Sequence, residues 1–74
     1  MCGIIGYIGK RQAVQILIAG LQRLEYRGYD STGLGILSTE GVFIQKSQGK
    51  VQQLVDRLQM DKCIGHVGIG HTRW

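Results

Sequence analysis

Three groups of residues in this sequence have types and spacing that could do chemistry. The first is Cys2, directly behind Met1. Once Met1 is removed, a thiol and a free α-amine share one residue. A free α-amine has an ordinary pKa of about 7.7 to 8.0 and a free thiol one near 8.5. One residue can therefore supply a nucleophile and the base that serves it. Against this stands the plain reading of a free cysteine as a small buried hydrophobe at a strand start. Gly3 and Gly6 favour the reactive reading, because they let a substrate or another backbone come close.

The second group is Arg73 beside Trp74, with Arg27 further back in the chain. A guanidinium fork suits a carboxylate held by two parallel hydrogen bonds, and an indole can wall a pocket. From spacing alone, a surface arginine beside a partly buried tryptophan is the simpler reading of the pair. Arg27 reads as a solvated cation at a helix end or as an arginine ordering its turn onto Cys2.

The third group is Cys63, His66 and His71, which invites a zinc reading. The spacing C-x2-H-x4-H matches no ordinary ligand pair, and the two histidines have opposite parity on a strand. No metal is expected, and Cys63 reads as a core or surface filler. Phosphate loops fail as well. Gly9-Lys10 is followed by Arg11 where a hydroxyl residue is needed, and Gly33-x-Gly35 and Gly68-x-Gly70 lack a third glycine.

Elements must position these groups. Residues 2–8 are short, apolar and glycine-punctuated, as in a buried strand. Over residues 12–25, Val14, Leu17, Ile18, Leu21 and Leu24 share one helical face, and Gly28 offers a stop. Residues 27–31 read as a turn. Residues 33–38 and 42–47 read as strands joined by a hairpin at Thr39-Glu40-Gly41. Residues 50–59 place Val51, Leu54, Val55 and Leu58 on a second helical face, and residues 65–74 form a last glycine-rich strand. The expected order is strand, helix, strand, strand, helix, strand: a mixed α/β (α+β) layout within one domain over residues 1–74.

Composition narrows the class. Seventy-four residues allow one small domain of marginal stability. Two cysteines do not make a disulfide scaffold. The net charge of +4 comes from nine scattered basic residues with no basic run, so neither a nucleic-acid partner nor a membrane is expected. No targeting segment is visible, and a reducing cytoplasm is the expected location. The chain stops inside the dense cluster His71-Thr72-Arg73-Trp74, which is the expectation for a fragment.

Cys2-Gly3-Ile4-Ile5-Gly6, Leu24-Glu25-Tyr26-Arg27-Gly28-Tyr29-Asp30-Ser31-Thr32-Gly33 and Gly70-His71-Thr72-Arg73-Trp74 resemble the N-terminal glutaminase domain of class II glutamine amidotransferases. The resemblance runs the length of the chain, in family order and spacing. The second and third stretches are similar to the hexosamine-forming branch rather than to the purine-pathway branch. The resemblance implies part of an N-terminal-nucleophile αββα sandwich. It implies Cys2 as nucleophile, with its α-amine as base after loss of Met1. It also implies Arg73 on the α-carboxylate of glutamine, Trp74 as a gate to an ammonia channel, and Arg27 supporting the nucleophile. Glutamine and fructose 6-phosphate would be the substrates, the latter through a C-terminal region not in this sequence. The full-length protein would be a homodimer needing no cofactor.

The family's oxyanion-hole asparagine and glycine fall beyond residue 74. The 74 residues alone are therefore expected to be inactive. Two alternatives stay open: another class II amidotransferase, or a truncated, non-catalytic interaction fragment.

Overall fold

The computed structural model describes residues 2–26 and 30–73. It contains β1 (Gly3–Ile8), α1 (Ala13–Glu25), β2 (Ser31–Ser38), β3 (Gly41–Gln48), α2 (Val51–Arg57), a 3-10 turn (Met60–Lys62) and β4 (Val67–Arg73). The expected element order holds, with the short turn added. The four strands form one sheet in the order β1-β4-β2-β3, antiparallel throughout. This mixed α/β arrangement is compatible with part of an αββα sandwich.

Both helices lie on one face of the sheet. α1 contributes Ala13, Val14, Leu17 and Leu21, and α2 contributes Val51 and Leu54; Leu34, Ile36 and Cys63 complete the buried core. α1 lies close to β4 because β4 offers glycines there. A Cβ at Gly68 would stand 2.8 Å from Leu17 Cδ1 and 2.7 Å from the Gly35 carbonyl oxygen, inside any tolerable contact. The hairpin closes on Thr39-Glu40, with Ser38 paired to Gly41, and Gly41 takes φ +123°, a conformation that favours glycine.

Several boundaries differ from the expected ones, β4 among them, which starts at Val67 rather than at residue 65. β2 starts at Ser31 rather than at residue 33, because Ser31 and Thr32 pair with Gln48 and Ser47 on one side and with Arg73 and Thr72 on the other. α2 ends at Arg57 because Leu58 turns extended (φ −71°, ψ 138°), yet the Leu58 side chain still packs on the core. An apolar period reports which side chains face inward, not where the backbone leaves the helix. Gly28, the expected stop of α1, lies outside the described residues.

The other sheet face is apolar and bare. Ile4, Ile8, Leu37, Val42, Ile44 and Ile69 are all exposed, Ile4 to 78% and Ile69 to 59%. A trough of about 330 Å³ runs between Leu37, Val42, Ile44, Val67, Ile69 and His71. A sheet apolar on both faces is built to be covered on both.

Gly65 locks the entry to β4. Its N–H donates to Gln12 Oε1 (3.0 Å) and its carbonyl accepts from Ala13 N (2.8 Å), while a Cβ there would press on the Leu37 carbonyl oxygen. The obstacle is backbone and cannot rotate away. Gly65→Ala is expected to cost about 2 kcal/mol or more, a fall in Tm of roughly 8 to 16 °C for a domain of this size. Gly20→Ala is the control. Its Cβ would overlap Ile5 Cδ1 and stand 3.2 Å from Ile5 Cγ1, all side-chain atoms that can turn aside, and alanine gains about 1 kcal/mol of helix propensity. Thermal unfolding of both variants checks the contrast; equal Tm values would refute it.

Candidate active site

Cys2 is exposed and immediately precedes β1. Gly3 pairs with Thr72, the residue before Arg73. Arg73 pairs in turn with Ser31, and Ser31 with Gln48. The end rung of the sheet reads Arg73, Ser31, Gln48, and Cys2 continues the line of β1 one residue beyond the last pair, Gly3–Thr72. By strand alternation this rung shares the bare face with Ile4, Ile69 and Ile44. Cys2 and Arg73, 71 positions apart in the sequence (73 − 2), are the residues that flank the terminal Gly3–Thr72 pair. Arg27 and Trp74 lie outside the described residues.

The end of β4 is tied down by its neighbours. The Asp30 N–H donates to the Arg73 carbonyl (2.6 Å), and the Gly49 N–H donates to the Asp30 carbonyl (2.9 Å). Gly49 takes φ +87° as the chain turns from β3 into α2. Gly3 serves a different purpose from the one its sequence position suggests. A Cβ there would stand 2.9 Å from Leu24 Cδ1, so the missing side chain accommodates α1. Gly6 faces the bare side, where the nearest atom to an added Cβ is the Gly68 oxygen at 3.9 Å, and there close approach remains open.

The next rung inward carries features not foreseen from the sequence. Gly3, Thr72, Thr32 and Ser47 are successive partners across all four strands, and they face the helices. Thr72, Thr32 and Ser47 are buried hydroxyls. Ser47 Oγ donates to the Gln48 carbonyl (3.1 Å), whereas Thr32 Oγ1 has no hydrogen-bond partner among the described residues. Three polar residues from three separate strands leave no signal in a one-dimensional pattern. A second unforeseen group is Glu25, whose Oε2 accepts the Val51 N–H at 2.6 Å. It is half-buried at the end of α1 and caps α2 from 26 residues away.

Cys63 and the histidines stand apart. Cys63 is buried in the core, where desolvation and then the Asp61 carboxylate push its thiol pKa up, leaving it protonated and unreactive. His66 Nδ1 lies 2.8 Å from the Arg11 carbonyl, ahead of β4, while His71 sits on the bare face beside Gly33. Among the described residues no three His, Cys, Asp or Glu side chains gather where they could hold a metal. No helix among them is long and apolar enough to cross a membrane.

An exposed thiol next to the end of β1 and an exposed arginine at the end of the neighbouring β4 are the groups that the described residues offer at this end of the sheet. No family model matches the chain. All 74 residues do match proteins named glutamine–fructose-6-phosphate aminotransferase (isomerizing). Those of Thermosynechococcus vestitus and Pyrococcus horikoshii are each 53% identical over 74 residues, and that of Bacteroides thetaiotaomicron is 53% identical over 75. In each case the match takes in 100% of this chain and 12% of the relative. By sequence the chain is similar to the N-terminal segment of these aminotransferases and spans about an eighth of their length.

Proposed function

We propose that residues 1–74 form the first part of the glutaminase domain of a glutamine–fructose-6-phosphate aminotransferase. The observation that carries this reading is the placement of Cys2 and Arg73 at one end of the open sheet face, in a chain about half identical to such enzymes along its whole length. After loss of Met1, the Cys2 thiol gives its proton to the α-amine and the thiolate attacks the side-chain amide carbon of glutamine. The Arg73 fork holds the α-carboxylate. The tetrahedral intermediate collapses as the amide nitrogen takes a proton and leaves as ammonia. A glutamyl thioester remains, and water releases glutamate. Trp74 walls the pocket on the side from which ammonia departs, and Arg27 supports the nucleophile. Ammonia then reacts with fructose 6-phosphate in a C-terminal region, giving glucosamine 6-phosphate and water.

No step in this scheme draws on a metal or cofactor. The full-length protein works as a cytoplasmic homodimer. The 74 residues alone supply the nucleophile without the donors that must meet the oxyanion; such a donor is worth about 10²- to 10³-fold in other hydrolases. The bare apolar face is the seat of the second sheet, where the sandwich closes.

The test uses a full-length protein beginning with this sequence. A glutamine-analogue electrophile should label Cys2 once Met1 is removed and leave Cys2 unlabelled while Met1 is retained. Equal labelling of the two forms would overturn the α-amine as base. Absence of glutamate release from the processed protein would overturn the function itself.

A further inference from the structure

We propose that Gly49 is a positioning residue for Arg73, the arginine that grips the glutamine carboxylate; this rests on the function proposed above. Arg73 ends β4, and its carbonyl accepts the Asp30 N–H at 2.6 Å, a bond outside the regular ladder. The Asp30 carbonyl in turn accepts the Gly49 N–H at 2.9 Å. Asp30 is thus held between Arg73 on one side and Gly49 on the other. β3 is an edge strand, so Gly49, one residue beyond it, is the outermost link. The backbone that carries the guanidinium is therefore set by a residue two strands away from it.

Gly49 can serve as this link because it does two things at once. Its N–H bonds back to Asp30, while its φ of +87° turns the chain out toward α2. Residues with L side chains are rarely found at that φ. An added Cβ would also fall on Gln53 Oε1, the atom that accepts the Lys50 N–H at 2.8 Å. Behind this corner α2 is fixed, since Val51 and Leu54 are fully buried in the core. Gly49 is clamped between a packed helix and the strand end that carries Arg73. It touches neither substrate nor thiol, and it acts by where it holds the Asp30–Arg73 bond.

Variants of the full-length protein test the idea. Gly49→Ala is expected to raise KM for glutamine about five- to thirtyfold, part of what loss of the Arg73 fork would cost. kcat should stay within about threefold, because the carboxylate is gripped equally in the ground and transition states. Gly41→Ala is the control. Its φ of +123° imposes the same kind of strain at the far end of β3, with nothing within 4 Å of the added Cβ. It should lower Tm and leave KM within about twofold of the unsubstituted enzyme. Gly49→Asn combined with Gln53→Ala should bring KM back to within about threefold, because asparagine tolerates positive φ and the obstructing oxygen is gone. Where Gly49→Ala does not fold, Gly49→Asn alone takes its place, with a KM rise in the same direction.

Arg73→Ala supplies the decisive background. Once the guanidinium is absent, Gly49→Ala should change KM by no more than about twofold, because its effect passes through Arg73. Equal KM rises in both backgrounds would make Gly49 merely structural and overturn the proposal. A KM for Gly49→Ala no higher than that for Gly41→Ala would overturn it too, as would a KM left unrestored by the paired substitution. An unsubstituted protein without glutaminase activity would instead defeat the function on which the proposal rests.

Discussion

Replacing Cys2 by alanine in the full-length protein should lower glutamine hydrolysis by at least about 10⁴-fold, on the scale seen when a hydrolase loses its covalent nucleophile. The expectation rests on placement. Cys2 is exposed on the bare sheet face, and the second cysteine cannot stand in for it, because Cys63 is buried on the opposite side among the helices. Alanine at position 2 removes only a sulfur at an exposed strand start, so the fold should be retained. The variant should still make amino sugar from added ammonium salt, since free ammonia bypasses the thiol. Glutamate release and amino-sugar formation, measured in parallel, check this. Hydrolysis within tenfold of the unsubstituted enzyme would remove Cys2 from the mechanism.

Arg73→Ala should act on the other side of the reaction. The charge-assisted bonds of a guanidinium fork to a carboxylate contribute about 1.5 to 3 kcal/mol. Their loss should raise KM for glutamine about 10- to 150-fold. Because the carboxylate is gripped in the ground state and the transition state alike, kcat should change far less than KM. Arg73→Lys should recover only part of the loss, as a point charge cannot reproduce the fork. Arg73 is exposed and shares its backbone, not its side chain, with the Asp30 and Ser31 pairing, so the substitution leaves the sheet intact. Steady-state kinetics in glutamine decide the matter. A lowered kcat with KM unchanged would place Arg73 in the chemical step instead of the grip.

Much of the architecture was legible in the sequence because its signals are local. The period of Val14, Leu17 and Leu21 and the glycine-marked hairpin at Gly41 declare a helix and a turn within a few residues. The position of Cys2 behind Met1 is likewise local. What escaped is non-local. Nothing near Gly3 says that its partner is Thr72, and the sheet order β1-β4-β2-β3 follows from such pairings. Ser31 reads as a turn residue and Thr32 falls short of the expected strand, because their polarity outweighs a pairing that neither of them encodes alone. The hydroxyl rung and the Glu25 cap each join residues from separate elements and emerge only when the sheet is assembled. Gly3 itself was legible as a place of close approach. The partner it admits is Leu24 rather than a substrate.

The pairing of β1 with β4 also sets a timetable. β1 has no other partner in the sheet, and Gly3 must wait for Thr72, 69 residues later (72 − 3). At a synthesis rate of about 5 to 20 residues per second, that delay is roughly 3 to 14 s. Throughout it β1 lacks its sheet partner. For the function proposed above, this is the interval in which Met1 can be removed before β4 pairs with β1.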